Sequence, residues 1–390
     1  MDFSLSAEQR ELKEAAAAFA SAKLNQDLAE REEAGEFPLA AWGACAEFGI
    51  QGLPVPAELG GGGADILTTV LVMEALGYGC RDNGLIFSLN AQLWSLELPL
   101  VRFGTPAQQR AYLPGLISGD LIGVHAMTEP ESGSDAGATK TRAVLDGGEW
   151  VIDGSKQFIT NSGSSITSCV TVTARTGEKA DGKAEISTII VPSGTPGFVA
   201  EAAYDKLGWH ASDTHPLSLV GCRVPEGNLL GTRGKGFAQF LATLDDGRVA
   251  IAAVALGCIR ACLEMSVQYA GERQTFGGPI GRKQGVAFQI ADLKVMADAA
   301  ELLVYRAAAL KDAGASPADF KQAASVAKLY ATESAVTATR IATQVFGGYG
   351  FMEEYPVARF YRDAKVLEIG EGTSEVQRML IARGLGLPVE

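Results

Sequence analysis

The sequence predicts a mainly helical protein with a β-domain in the middle of the chain. Helix-type patterns fill residues 1–120 and 233–390, while short strand-type runs separated by turn residues fill 121–232. Strands do not alternate with helices, so the βαβ order of a parallel nucleotide-binding sheet is disfavoured. With 390 residues, the chain is long enough for two or three packed units or one large composite domain.

The N-terminal block carries clear helix signals. Ser6 can cap a first helix with an acidic first turn, and Thr105 can cap a later one. Between them, the glycine-rich stretch 52–63 predicts a loop, 64–78 predicts an apolar helix, and the strongly apolar 83–103 is expected to be buried.

The middle and C-terminal blocks differ in their periodicity. The middle block contains TRAVLDGGEWVIDG, with a DGG turn at 146–148, and runs such as ISTIIVP that are rich in Val, Ile and Thr. It predicts a small β-barrel or sandwich of about 100 residues. From about Lys235 the pattern is helical again, with apolar residues at helical spacing in 288–305, and it is interrupted at 344–351. This last block is expected to form an antiparallel bundle.

Composition excludes several classes of function. The net charge of −13 argues against a general nucleic-acid binder, and no apolar run of 18 residues predicts a membrane span. Six cysteines without a CxxC pair and only three histidines make a metal site a poor hypothesis, and we expect the cysteines to be reduced. The N-terminal segment has no secretory signal, so the protein is expected to be cytoplasmic or an already processed matrix protein.

Four separated motifs carry the chemistry. They are AMTEPESGSD at 126–135, KQFITNSG at 156–163, RQTFG at 273–277, and the pair QVFGGYGF at 344–351 and YRDAKVLEIGEGTSEVQR at 361–378. Together, in this order and spacing, they resemble the acyl-CoA dehydrogenase family over nearly the whole chain. The resemblance implies an N-terminal helical domain (1–120), a middle β-barrel (121–232) and a C-terminal four-helix bundle (233–390). It also implies FAD between the β-domain and the bundle, reaching a neighbouring subunit.

The resemblance implies roles for the flavin end of the cofactor. Met127 and Thr128 match positions that hydrogen-bond the flavin pyrimidine, and Phe158 and Thr160 match positions that pack on the flavin and bond near N5. Many members have Trp where this chain has Phe158, and Phe keeps the packing without the indole N–H. His125 precedes this group, and a packing role is at least as probable for it as a flavin contact.

The remaining cofactor contacts are implied for other segments. Arg273 matches a residue that reaches the FAD pyrophosphate of another subunit, which suits the planar guanidinium fork. Phe276 and Gln284 would flank the adenosine half. Further cofactor contacts are implied for Gly133, Ser134, Gln344, Gly347, Gly348, Thr373 and Glu375.

Glu371, in GEGTSE, matches the catalytic base of the family. A carboxylate in an apolar pocket has a raised pKa, which suits abstraction of the α-proton of an acyl thioester. The family binds the thioester carbonyl with the backbone N–H of this residue and a ribityl hydroxyl, as an oxyanion hole. A known alternative position for the base corresponds to Gly247, which cannot act. Ser134, Asp245 and Arg248 match substrate-lining positions, although Asp245 and Arg248 alone could be a surface pair worth ~0.3 kcal/mol.

The implied function is FAD-dependent α,β-dehydrogenation of an acyl-CoA to the 2-enoyl thioester, with electrons passed to an electron-transferring flavoprotein. One alternative is the same chemistry on an acyl- or peptidyl-carrier-protein thioester, which the segment GCRDNGLIFSLNAQLW suggests weakly. Others are an oxidase or monooxygenase on the same scaffold, and a non-catalytic flavoprotein. The resemblance implies a homotetramer or homodimer. His210 stands where the family often has Arg, and the acyl chain length is not predicted.

Overall fold

A computed structural model describes residues 4–389. The outermost positions of the predicted 1–120 and 233–390 blocks, 1–3 and 390, lie outside the described residues. The predicted order of helices, strands and helices is confirmed. The domain limits at 120/121 and 232/233 stay a prediction.

The N-terminal part is helical, and its predicted caps are confirmed. Ser6 accepts a hydrogen bond from the N–H of Gln9, and Thr105 accepts one from Gln108, each within a reciprocal capping box. A π-helical turn, Leu93–Glu97, separates two helices in the apolar region. The helices are α1 Ala7–Lys23, α2 Leu28–Ala34, α3 Leu39–Glu47, α4 Ile66–Gly79, α5 Asn83–Gln92, α6 Leu98–Phe103 and α7 Pro106–Ile117.

The middle part is an eight-stranded sheet with the order β6-β7-β3-β2-β4-β5-β8, and β1 pairs in parallel with β4. The predicted DGG turn joins β2 to β3, with Gly147 at φ 61° and Gly148 at φ 86°, as a two-residue hairpin requires. Over the described residues β6 and β8 are not paired with each other, so in hydrogen-bonding terms the expected barrel is an open sheet. The strands are β1 Ile122–Ala126, β2 Arg142–Asp146, β3 Glu149–Thr160, β4 Thr167–Glu178, β5 Ala184–Pro192, β6 Phe198–Ala200, β7 Thr214–Pro225 and β8 Leu229–Leu230.

The C-terminal part is a bundle of long helices. Helix α8 packs against α9 and α10, and α12 packs on α10. A short hairpin joins α8 to α9, and the predicted break at 344–351 contains a 3-10 turn, Gly347–Phe351. The elements are α8 Gly236–Glu272, β9 Gln274–Thr275, β10 Gly278–Pro279, α9 Gln284–Asp312, α10 Pro317–Phe346, α11 Pro356–Ala364 and α12 Ser374–Gly384.

Helix α8 connects the bundle to the N-terminal helices through a close crossing with α4. A Cβ atom on Gly257 would lie 2.2 Å from the carbonyl oxygen of Glu74, and one on Gly77 would lie 2.7 Å from that of Val254. Only glycine allows the two backbones to approach so closely. One hydrophobic core therefore runs from α4 into the bundle. By length and composition α8 could also cross a membrane, but most of its apolar window is buried inside the protein.

Candidate active site

The candidate base lies in a strained turn between α11 and α12. Glu371 has φ 57° and Gly372 has φ 88°, so two consecutive residues adopt the left-handed region, which is unusual for a glutamate. Within the described residues the N–H of Glu371 donates to no protein acceptor. A free N–H next to a carboxyl group can bind a carbonyl oxygen that gains negative charge.

Three donors from three helices fix the carbonyl groups of this turn. The Arg248 Nε of α8 lies 3.4 Å from the Glu371 oxygen, and the Lys328 Nζ of α10 lies 2.8 Å from the Gly372 oxygen. From α12, Gln377 Nε2 donates to both oxygens, at 3.3 Å and 2.9 Å. Tertiary contacts therefore impose a turn that the local sequence does not favour.

The carboxyl group of Glu371 points toward α8 and the π-helical turn. A Cβ on Gly247 would lie 3.3 Å from Glu371 Oε2 and 3.4 Å from the Cβ of Trp94. The alternative position for the base thus borders the same carboxylate. Burial raises the pKa of Glu371, while the charges of Arg248 and Lys328 oppose the rise. The raised pKa suits a residue that must accept a proton.

The Asp245–Arg248 pair is buried, so the possibility of a surface pair is wrong. Arg248 Nη1 lies 2.5 Å from Asp245 Oδ1, with 4% and 7% of the two residues exposed. Burial raises the pKa of Asp245 and the adjacent guanidinium opposes it. The pair therefore anchors Arg248, which in turn holds the carbonyl of Glu371.

The four residues of the middle part that are predicted to contact the flavin lie at one end of the sheet. Met127 and Thr128 follow β1, and their carbonyl groups accept from Lys156 Nζ (3.0 Å) and the Gln157 N–H (2.8 Å) of β3. Phe158, on the same strand, has φ 59° and its residue is 62% exposed. A large exposed aromatic on a left-handed backbone is a costly arrangement that folding alone does not require. Thr160 pairs with Thr214 of β7.

A buried ion pair between distant residues supports this loop. Lys156 Nζ lies 2.7 Å from Glu129 Oε1. Burial alone would raise the pKa of Glu129, but Lys156 and two further donors, the Thr139 hydroxyl and the Lys140 N–H, lower it to about 2. Burial lowers the pKa of Lys156 to about 8 against the attraction of Glu129. The motif letters E and K were visible in the sequence, but a carboxylate-lysine pair 27 residues apart has no local signal.

His125 connects this end of the sheet to α8. Its ring stacks on Phe240 with centroids 4.4 Å apart, and Nδ1 lies 2.8 Å from the Thr171 hydroxyl. Burial lowers the pKa of His125 to about 3, so the ring is neutral. The packing role is supported, although the buried Nε2 has no hydrogen-bond partner among residues 4–389.

The residues that are predicted to contact the pyrophosphate and adenosine half of FAD lie close together, at the C-terminal end of α8. Arg273 stacks over Tyr349 at 5.6 Å, which brings the RQTFG and QVFGGYG motifs together. Phe276 has φ 49° and is 93% exposed, and Gln284 is exposed at the start of α9. Gln344, Gly347 and Gly348 are exposed near the end of α10.

The remaining predicted residues take different positions. Thr373 caps α12 by accepting from the Val376 N–H at 3.3 Å, and Glu375 is exposed in its first turn. Gly133 and Ser134 lie exposed in the loop after β1. His210 contacts the Glu32 carboxylate at 2.5 Å, and Glu32 also accepts from Arg359 and Arg362, so the histidine serves an interdomain network.

Comparisons with known proteins assign the chain to a family. Family models match in order: acyl-CoA dehydrogenase N-terminal domain at 6–120, middle domain at 125–222 and C-terminal domain at 234–386. A probable acyl-CoA dehydrogenase of Bacillus subtilis is 44% identical over 385 residues, covering 99% of this chain and 100% of the relative.

Two solved structures are similar over almost the whole chain. Butyryl-CoA dehydrogenase from Megasphaera elsdenii has a TM-score of 0.92 at 38% identity and covers 99% of this chain and 100% of its own. The prolyl acyl carrier protein oxidase AnaB has a TM-score of 0.93 at 35% identity, with 98% and 100% covered. The chain therefore belongs to the acyl-CoA dehydrogenase family of FAD-dependent oxidoreductases.

Proposed function

We propose that this protein removes hydrogen from Cα and Cβ of an acyl-CoA thioester to give the 2-enoyl thioester, with Glu371 as the base. The observation that carries the proposal is the turn at Glu371, where a backbone N–H without a protein acceptor in the described residues lies beside a carboxyl group whose pKa is raised by burial. Loss of the α-proton places negative charge on the thioester oxygen, and that N–H is available to stabilise it.

The residues of the chain divide the chemistry between them. Glu371 takes the α-proton as a proton, which leaves the electron pair on the substrate. Bound FAD would supply the acceptor for the hydride from Cβ. Arg248, Lys328 and Gln377 hold the turn, so the carboxylate and the N–H keep their positions while charge develops. Asp245 and Arg248, with Ser134, would border the entering thioester.

The residues present fit FAD. Two aromatics, Phe158 and Phe276, have left-handed backbones. Phe158 contacts the Tyr204 ring and Phe276 lies under the Lys283 ammonium, yet both residues stay largely exposed, as expected for surfaces that a flat ring system covers. Met127 and Thr128 lie beside Phe158. The buried Nε2 of His125 has no hydrogen-bond partner within the described residues, so a bound ligand could provide one. The other proposed cofactor contacts are Gly133, Ser134, Thr160, Arg273, Gln284, Gln344, Gly347, Gly348, Thr373 and Glu375.

We further propose a homodimer or homotetramer. Helix α9 exposes Phe288, Val295 and Leu302, spaced seven residues apart on one face, at 63%, 66% and 49% exposed. An apolar stripe of this kind marks a surface that another molecule covers. Arg273 and Phe276 are exposed at the adjacent end of the bundle, which suits a contribution to a cofactor bound by a second subunit.

A carrier-protein thioester is the second candidate substrate. The similarity to a prolyl acyl carrier protein oxidase supports it, because the same fold serves a carrier-bound acyl group there. A carrier lacks the adenine nucleotide of CoA, so the two substrates differ only outside the pantetheine. The electron acceptor is a separate question. A dehydrogenase would pass its electrons to an electron-transferring flavoprotein, whereas an oxidase would pass them to oxygen.

Anaerobic titration of the purified flavoprotein tests these proposals. A panel of acyl-CoAs and the same acyl groups on a carrier protein are added in turn, and bleaching of the flavin absorbance is recorded. Bleaching by acyl-CoA supports the first proposal, and bleaching only by the carrier-bound series replaces it with the second. Peroxide formation in air at the rate of substrate oxidation would identify an oxidase. No bleaching with either series would contradict the proposed function.

A further inference from the structure

Lys328 is a buried cation beside the proposed base. It lies on α10 with 0% of the residue exposed. Its Nζ donates to the Gly372 carbonyl at 2.8 Å, and within the described residues no carboxylate lies within ion-pair distance of it. An ammonium has three N–H donors, and burying it without a carboxylate partner is costly. Structural packing alone would favour a leucine or methionine here, so the charge requires another explanation.

The hydrogen bond from Lys328 restrains the peptide groups on either side of Glu371 and Gly372. With the Gly372 carbonyl held by Lys328 and Gln377, the peptide groups around Glu371 cannot rotate without breaking contacts to two helices. This rotation would redirect the free N–H of Glu371. Lys328 is the one charged donor on the Gly372 oxygen within the described residues, and hydrogen bonds from charged donors are the stronger ones.

We propose that Lys328 is a positioning residue for Glu371: its ammonium fixes the Gly372 carbonyl and favours the ionised carboxylate that removes the α-proton. The inference rests on the proposed function of Glu371 as the base. Lys328 would act through the turn, by its hydrogen bond to the Gly372 carbonyl.

The charges around Lys328 agree with this role. Burial lowers the pKa of Lys328 to about 8, Glu371 raises it, and Arg248 lowers it. The group is therefore mainly protonated at pH 7 and below. The charged side chains facing the ammonium from the surrounding elements are Glu371, Arg248 with its partner Asp245, Glu368 and Glu333. Removing the positive charge should raise the pKa of Glu371, so the base would need a higher pH to ionise.

The test uses the complete flavoprotein and stopped-flow reduction by a saturating acyl-CoA that bleaches the wild-type flavin. Lys328→Met removes the charge at similar length, Lys328→Arg retains it, and Gln377→Leu removes a neutral donor from the same carbonyl. Lys183→Met, an exposed lysine of the β4–β5 turn, is the control. Each is measured from pH 5.5 to 9 together with its flavin content.

We expect Lys328→Met to slow flavin reduction at pH 7 about tenfold or more. The acid limb of the pH–rate profile, where the rate falls as Glu371 is protonated, should shift to higher pH. Lys328→Arg should restore the acid limb, and Gln377→Leu should slow reduction without shifting it. A Lys328→Met enzyme with full flavin content and the wild-type acid limb would overturn the inference. If that variant loses FAD, Lys328→Gln is judged by the same criteria. Failure of the wild type to bleach would instead contradict the proposed function.

Discussion

Replacing Glu371 with glutamine changes the proposed base while leaving its surroundings in place. The side chain keeps its shape and loses the ability to take a proton. The three donors that hold the turn bind the backbone carbonyls of residues 371 and 372, which the substitution does not alter. The free N–H at position 371 therefore stays available to the thioester oxygen. Only the proton-transfer contribution should be lost.

That contribution sets the expected magnitude. A positioned general base contributes about 10²–10⁴ in rate, which corresponds to about 3–5.5 kcal/mol of barrier. We expect Glu371→Gln to bind FAD and the thioester normally and to reduce its flavin slower by that factor. In the wild type, the rate should fall as the pH falls through the raised pKa of Glu371, because the protonated acid is inactive. The variant should show no such limb.

Stability provides an independent check on the same residue. Because burial raises the pKa of Glu371, the folded protein binds this proton more tightly than the unfolded chain does. The ionised group therefore destabilises the fold as the pH rises above about 4.3, which is the pKa of a glutamate in the unfolded chain. Glutamine carries no such charge, so the melting temperature of the variant at pH 8 should equal or exceed that of the wild type.

The assay is stopped-flow flavin reduction under anaerobic conditions, with thermal melts at pH 5.5 and 8. Glu354→Gln, a change at an exposed carboxylate before α11, is the control and should behave as the wild type. A Glu371→Gln enzyme that reduces its flavin within tenfold of the wild-type rate would refute the assignment of the base. A melting temperature several degrees lower at pH 8 would refute the account of the raised pKa.

Three further predictions test other parts of the site. Trp94 borders Gly247 and is held by a 2.9 Å hydrogen bond to Asn90. Because leucine is smaller than tryptophan, Trp94→Leu should shift the preferred acyl-CoA toward longer chains in a chain-length series. An unchanged optimum would exclude Trp94 from the pocket wall. Arg273→Lys keeps the charge and loses the bidentate fork, and should weaken FAD retention about tenfold in gel filtration, whereas retention at the wild-type level would contradict a phosphate contact. A Cβ on Gly247 would lie next to the Glu371 carboxylate, so a glutamate at either position could reach the same place. Adding Gly247→Glu to a Glu371→Gly variant should therefore recover part of the flavin reduction that Glu371→Gly loses. No recovery in a folded, FAD-bound protein would contradict the shared location.

Much of the fold could be predicted from local signals. The caps at Ser6 and Thr105 and the DGG hairpin depend on residues within a few positions of each other, so the sequence shows them directly. The π-helical turn Leu93–Glu97 has no such signal, and its contacts are with distant segments, since the turn packs on α8 and β1. Sequence therefore predicts an apolar buried segment there but not the placement of Trp94.

The sequence predicts the site as a set of motifs, but it does not show how the supporting residues act, and it gives no role to Lys328 or Gln377. Asp245 and Arg248 at i,i+3 look like a surface pair on any helix, and only the burial of α8 reveals an anchor. Lys328 had a usable signal, since it interrupts the buried face of α10 between Ala324 and Ala331. A lysine at a core position indicates a specific partner, but its identity, a carbonyl 44 residues away, requires the tertiary structure.

Backbone strain occurs at three of the proposed active-site residues. Within residues 4–389, six residues other than glycine have positive φ, and Phe158, Phe276 and Glu371 are three of them. Each would be more stable as glycine if only folding mattered, because glycine adopts this conformation without a steric penalty. At all three positions the side chain is one that the proposed chemistry needs: two aromatic surfaces and one base. The tertiary contacts that hold the turn at Glu371 therefore offset a local cost that the function imposes, and residues such as Lys328, which have no role in substrate binding, follow from that requirement.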